Sequence, residues 1–245
     1  MIDTAGRSDI GKVRTTNQDA YHIGNISSNV AWSVVCDGMG GANAGNMASL
    51  VAVGAISANM DRNYNPEKPD SSIHSLITTA VINANALVYQ KSKQTPDLAG
   101  MGTTVVLTVI KNDRAYIAHA GDSRAYHISK SQIRQITKDH TMVQYLIETG
   151  ELTPEEAKDH PKKHLITRAV GVDENIMVDY NEADLEKGDR VLICSDGLSN
   201  LVNEEEIAAI VKKNNTPTDA VDKLIELANE RGGNDNITVV IMENC

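Results

Sequence analysis

The run "TTVVLTVI" (103–110), the short turn "KND" and the run "RAYIAHAG" (114–121) constrain the fold of this chain more than any other feature. Two β-branched apolar runs joined by a few turn residues read as an antiparallel hairpin. "RAYHI" and "QIRQI" follow across "SKS" as a second hairpin. "VAWSVVC" (30–36), "DRVLICS" (189–195) and "NITVVIM" (236–242) are further apolar runs bounded by turn residues. Parallel strands would need long crossovers between neighbours, which tight turns exclude.

Helical patterns interrupt these strands. "NMASLVAVGAISANM" (46–60) is rich in Ala and Met, and residues 72–90 carry apolar side chains at three- and four-residue steps. "NEEEIAAIVKK" (203–213) opens with Asn and glutamates, as suits a helix N-terminus, and "TDAVDKLIELANERG" (218–232) ends in Gly. The order predicts an α+β fold of antiparallel sheets flanked by helices. With no Pro/Ser/Gly-rich linker and no internal repeat, residues 1–245 read as a single domain. The segment 137–171 stands apart through its density of charged residues and histidines. It reads either as a surface lid or as a solvated helical connection.

Acidic residues outnumber basic ones 33 to 23, a net charge of −10. That balance argues against a nucleic-acid or anionic-membrane surface, where basic groups supply most of the affinity. "MIDTAGRSDIGKVR" has no apolar signal region, and no apolar run approaches the ~20 residues needed to span a bilayer. Cys36, Cys194 and Cys245 do not make a disulfide framework, so a reducing cytoplasm is the expected home.

Five aspartates share one setting: Asp19 in "TTNQDAY", Asp37 in "VVCDGMGG", Asp122 in "AHAGDSRAY", Asp196 in "LICSDGLS" and Asp235 in "GGNDNITVV". Three follow apolar strands directly, Asp235 precedes one, and glycine lies beside or near four of them. A lone Asp-Gly is usually a turn. Five carboxylates gathered at one end of a sheet assembly would repel one another unless cations neutralised them. Hard divalent ions with oxygen ligands, Mg²⁺ or Mn²⁺, suit such a set. A Cys/His zinc site is not expected, because His160 and His164 have Pro161 between them.

Strand, glycines and helix in "VVCDGMGGANAG" also suggest a dinucleotide site. However, the position where Gly-x-Gly-x-x-Gly needs its third glycine is Asn43, and Asp37 would face the pyrophosphate with like charge. No Gly-Lys-Ser/Thr follows, so a P-loop is absent.

In seven blocks the chain resembles the metal-dependent protein serine/threonine phosphatases of type 2C (the PPM family), in their short bacterial form. The blocks are "GKVRTTNQDA", "VVCDGMGG", "MGTTVVL", "AHAGDSRAY", "HLITRAVG", "GDRVLICSDGLSNLV" and "GGNDNITVVI". The resemblance implies a sandwich of two antiparallel sheets with helices on both outer faces, and a variable flap at 137–171. It implies two Mn²⁺ or Mg²⁺ ions, with a third, weaker site in bacterial members. Asp37 matches the carboxylate bridging both ions, and Gly38 the backbone carbonyl beside it. Asp196 and Asp235 match ligands of the first ion, Asp19 the acid near the second, and Asp122 with Asp196 the third site.

Arg14 matches the residue that grips the substrate phosphate, which suits the bidentate fork of a guanidinium. The implied reaction is hydrolysis of phosphoserine and phosphothreonine in proteins by a metal-activated water, without a phosphoenzyme. Partners would be phosphorylated proteins, substrates of a bacterial Ser/Thr kinase, met by a monomer. Cys36 and Cys194 close apolar strands and lack the Arg of a cysteine-phosphatase loop, so they read as buried small hydrophobes. Some relatives place a proton-donating histidine where this chain has Met39 or Ala42. The donor would then be water on the metal or a group from elsewhere, such as His140. Rival readings are a catalytically silent phosphoprotein-binding module, whose mark would be lost carboxylates, and a metal-dependent phosphodiesterase.

Overall fold

The expected hairpin is present. Asn112 and Asp113 both take positive φ (52° and 58°), the geometry of a two-residue turn matched to strand twist. The computed structural model describes residues 1–41, 44–158 and 160–245. The chain opens with β1 (Ile2–Asp9), β2 (Asp19–Ser27), β3 (Val30–Met39), α1 (Ala44–Asn63) and α2 (Ser71–Gln94). A strand block follows: β4 (Gly102–Thr103), β5 (Val105–Lys111), β6 (Arg114–Ala120), β7 (Arg124–Ile128) and β8 (Ile133–Gln135). Next come α3 (Met142–Glu148), α4 (Pro154–Lys158), β9 (Asp179–Asp184) and β10 (Arg190–Cys194). The last elements are α5 (Asp196–Ser199), α6 (Glu204–Lys213), α7 (Pro217–Glu230) and β11 (Ile237–Asn244).

One sheet runs β1-β11-β10-β7-β8 and the other β2-β3-β5-β6-β9, with β4 paired to β3. Every pairing among these strands is antiparallel. The unbroken apolar character of the central strands has a simple cause. In β3, Trp32, Val34 and Cys36 pack against α1 and α2, through Ala48, Ala52, Ile56, Ile77 and Val81. The alternate residues Ala31 and Val35 meet Val191, Ile193 and Val240 of the facing sheet. On the far side, Leu192, Cys194, Val239 and Ile241 pack beneath α6 and α7. Four layers (helices, sheet, sheet, helices) leave the central strands no solvent face, so both side-chain phases are apolar.

The edge strands are a different matter, and sequence patterning misses three of them. β1, β2 and β9 border their sheets and read "IDTAGRSD", "DAYHIGNIS" and "DYNEAD". Edge strands carry charge and polarity that discourage pairing with other chains, and this hides their β signal. Helix α6 starts as expected: Asn203 and Glu206 form a reciprocal capping box.

Residues 141–166 leave the body and return beside their point of departure. Thr141 bridges Ile166, and Thr167 N–H donates to the His140 carbonyl at 2.8 Å. Short helices α3 and α4 lie inside this excursion.

Gly38 shows how tightly the end of β3 is held. A Cβ there would lie 2.1 Å from the Gly45 carbonyl oxygen and 2.6 Å from that of Gln18, both backbone atoms. Only glycine lets α1 and the β2 entry close on the strand. Gly38→Ala is expected to cost more than about 2 kcal/mol in chemical denaturation. By contrast, Gly54→Ala at an exposed position of α1, where a Cβ meets nothing within 4 Å, should stabilise by up to about 1 kcal/mol.

Candidate metal centre

At one end of the sandwich an open cavity of about 660 Å³ is walled by Arg14, Gly38, Asp37, Asp122, Asp196 and Asp235. Strand register accounts for the gathering. Asp19 pairs directly across from Asp37 where β2 and β3 meet, and Asp196 follows β10 as the first residue of α5. Asp235 enters β11, which pairs with β10, and Asp122 lies just beyond β6. Asp19 does not reach the cavity wall; it is buried behind it. A comparable groove of about 710 Å³ between β1 and α7 lacks this crowding, since its Asp9 and Asp222 accept hydrogen bonds from Asn229 and Arg7.

Four of the five aspartates are fixed by neighbouring hydroxyls or amides, Asp37 through its backbone. Asp19 Oδ2 accepts from Ser195 Oγ and Thr238 Oγ1, both at 2.7 Å. Asp37 N–H donates to Thr104 Oγ1 at 2.9 Å, and its carbonyl accepts from Thr103 Oγ1 at 2.8 Å. Asn200 Nδ2 donates to Asp196 Oδ2 at 3.0 Å. Asp235 Oδ1 accepts from Asn236 N–H at 2.8 Å, and Oδ2 pairs with Arg14 Nη2 at 2.7 Å. Two buried carboxylate oxygens, Asp19 Oδ1 and Asp122 Oδ1, have no hydrogen-bond partner.

The electrostatics follow from this crowding. Burial first, and then the neighbouring Asp19, Asp196, Asp122 and Asp235, push the Asp37 carboxyl well above the usual range. Burial raises Asp19 to about 6, although the Ser195 and Thr238 hydroxyls favour its anion. Burial and the Asp196 charge raise Asp122 to about 7, and burial with Asp235 raises Asp196. A cluster that repels itself, made only of oxygen donors and holding two orphaned buried oxygens, fits hard divalent cations.

Sequence reasoning alone missed the supporting residues. Asn236 holds the loop carrying Arg14: its side chain donates to the Ile10 and Thr16 carbonyls and accepts from Gln18 N–H. The available signal was the Ser, Thr or Asn beside each aspartate, as in "CSD" and "NDN". Cys36 and Cys194 are wholly buried, and burial pushes the Cys194 thiol up to about 12, so neither serves as a nucleophile.

His140 requires a correction as a proton donor to this cavity. It is buried outside the wall; its Nδ1 accepts from Gly121 N–H at 3.0 Å, so Nε2 carries the proton and donates to Asp179. Met39 lines the cavity but has no proton to give, and Ala42 lies outside the described residues. His119, His140 and Asp179 bring potential ligand atoms within 4.8 Å of one another. Yet Arg168 already pairs with Asp179, and the His140 tautomer spends both ring nitrogens on hydrogen bonds. His140, Asp179 and Arg168 thus satisfy one another, while His119 stacks on His140, meets the Lys138 carbonyl through Nε2 and leaves only its buried Nδ1 without a partner.

Because burial raises these carboxyls, the metal-free fold binds more protons than the unfolded chain between about pH 4 and pH 7. Their contribution to stability is therefore present in acid and lost as pH rises through that window. The rise in Tm produced by saturating Mn²⁺ should be small near pH 5 and grow toward pH 8, measured by calorimetry in parallel with chelator-treated protein. Asp37→Asn should raise the Tm of the metal-free protein at pH 8 and abolish most of the Mn²⁺ shift.

Known proteins of the same fold show the family. The family profile described as Protein phosphatase 2C matches residues 5–235. The chain is 36% identical over 240 residues to the serine/threonine phosphatase stp of Listeria monocytogenes serotype 4b, covering 97% of this chain and 94% of that protein. The S. agalactiae serine/threonine phosphatase shares the fold with a TM-score of 0.92 at 34% identity, over 99% of both chains. The catalytic domain of the phosphatase PstP, solved in complex with two manganese ions, gives a TM-score of 0.84 at 34% identity, over 99% of this chain and 97% of that one. The chain belongs to the protein phosphatase 2C family.

Proposed function

We propose that this protein hydrolyses phosphoserine and phosphothreonine in proteins, using divalent cations held by the aspartate cluster. The observation that carries this reading is the gathering of Asp37, Asp122, Asp196 and Asp235 on one open cavity with the Arg14 guanidinium. Asp37 would hold two ions jointly with the Gly38 carbonyl nearby, Asp196 and Asp235 the first, and Asp19 would act near the second. Asp122 with Asp196 would hold a third. When bound, such ions make water nucleophilic near neutral pH and offset charge on phosphoryl oxygens. Mn²⁺ and Mg²⁺ both suit oxygen donors; the manganese found in PstP favours Mn²⁺.

The chain's own groups have separate tasks. Arg14 offers a two-pronged donor to phosphoryl oxygens, and its pairing with Asp235 holds that donor at the cavity rim until an anion competes. Asn236 keeps the Arg14 loop against β11. The hydroxyls of Ser195, Thr238, Thr103 and Thr104 fix the floor, so that carboxylates need not reorganise during turnover. Nothing here favours a silent binding module, because the matched carboxylates are all present.

On this reading residues 1–245 form one catalytic domain, and residues 137–171 its flap. The substrates are phosphoproteins, and proteins phosphorylated by a bacterial Ser/Thr kinase suit the site. A monomer working in the cytoplasm is the simplest setting. No helix among the described residues is long and apolar enough to cross a membrane.

Mn²⁺-loaded protein should dephosphorylate phosphothreonine peptides, prefer them to phosphotyrosine peptides and lose activity to chelator. Asp196→Asn should lower kcat by at least about 100-fold while its circular dichroism matches wild type. A metal-loaded protein inert toward both peptides and aryl phosphate would refute the reading.

A further inference from the structure

Cleavage of a phosphoserine or phosphothreonine ester expels an alkoxide, a leaving group that needs a proton as the bond breaks. None of the groups described above is an obvious donor. The carboxyls give up their protons on binding cations. Met39 has none to give, and His140 is buried elsewhere in a closed set of hydrogen bonds. Arg14 stays charged at any relevant pH, and the amides of Asn200 and Asn234 are not acids near neutrality.

Two more titratable side chains face the same cavity, Lys163 and His164, and an ammonium is a far weaker acid near neutrality than an imidazolium. His164, from the excursion between Thr141 and Ile166, forms part of the wall together with Asp37, Asp196 and Asp235. It is close enough to the centre for its charge to be felt at Asp196. The backbone beside it is clamped: Met142 N–H donates to the Leu165 carbonyl at 2.8 Å, and Leu165 N–H to that of Lys162 at 3.1 Å. The imidazole itself is exposed and makes no side-chain hydrogen bond among the described residues, so its ring nitrogens are open to an incoming group. An imidazolium is the side-chain acid best matched to proton donation near neutral pH.

From this placement we infer that His164 is the general acid that protonates the leaving serine or threonine oxygen. The inference rests on the phosphatase reading above. Water adds its oxygen to phosphorus and releases one proton to solvent. The ester P–O bond breaks with its electron pair on the side-chain oxygen, which takes the proton of the His164 imidazolium and departs as an alcohol. The neutral imidazole regains a proton from solvent. The excursion that carries His164 thus completes the active site as well as shaping its entrance.

The test compares two leaving groups on full-length Mn²⁺-loaded protein. A phosphothreonine peptide expels an alkoxide that needs the acid, whereas 4-nitrophenyl phosphate expels a stable phenolate that needs it far less. His164→Ala and His164→Gln should lower kcat on the peptide by about 100-fold, and by at least ten-fold more than on 4-nitrophenyl phosphate. An unchanged Mn²⁺-induced Tm shift would show that the centre still assembles. Equal losses on both substrates, a loss confined to KM for the peptide, or no loss would each overturn the assignment. Wild type inactive on both substrates would instead overturn the phosphatase reading itself.

Discussion

The mutual repulsion of carboxylates held at one end of the sandwich is the constraint around which this structure is arranged. Asp19 and Asp37 face each other across adjacent strands, and Asp122, Asp196 and Asp235 converge from β6, β10 and β11. Left to itself the cluster takes up protons, as the raised carboxyls show. The fold tolerates that cost because both sheets are buried on both faces, giving three continuous apolar layers. Stability is spent locally on charges that cations can neutralise, which is how functional sites commonly depart from the rest of a fold.

The rigidity of the cluster comes from short polar groups more than from packing. Hydroxyls of Ser195 and Thr238 share one oxygen of Asp19, which ties the two sheets together at the centre. Thr104 links the Asp37 backbone to Ser123 in β6's exit loop, at 2.7 Å between the hydroxyls. Gly38 lets α1 approach the strand end closely enough to shape the wall. These contacts connect strand register directly to the positions of charge at the mouth.

Much of this was legible in the sequence, for physical reasons. Central strands between two layers are apolar throughout, so "VAWSVVC", "TTVVLTVI" and "DRVLICS" announced themselves. The aspartates were legible because their settings at strand ends repeated, and the structure does bring Asp37, Asp122, Asp196 and Asp235 to one cavity, with Asp19 behind. The edge strands β1, β2 and β9 were not, because solvent-facing polarity erases the alternation that marks a strand. His140, named from the sequence as an example of a donor from elsewhere, is turned into a buried hydrogen-bonded set. His164 opens the block "HLITRAVG", but nothing in that block marks it for the cavity, which it reaches through the return of the 141–166 excursion.

The central claim is that the aspartate cluster, and no other acidic or histidine-bearing group, is where this protein holds its ions. Anomalous diffraction at the manganese edge from Mn²⁺-soaked crystals tests it directly. The account predicts strong peaks among Asp37, Asp196 and Asp235, and none at His119, His140 and Asp179. Peaks at the histidine group with none among the aspartates would contradict it.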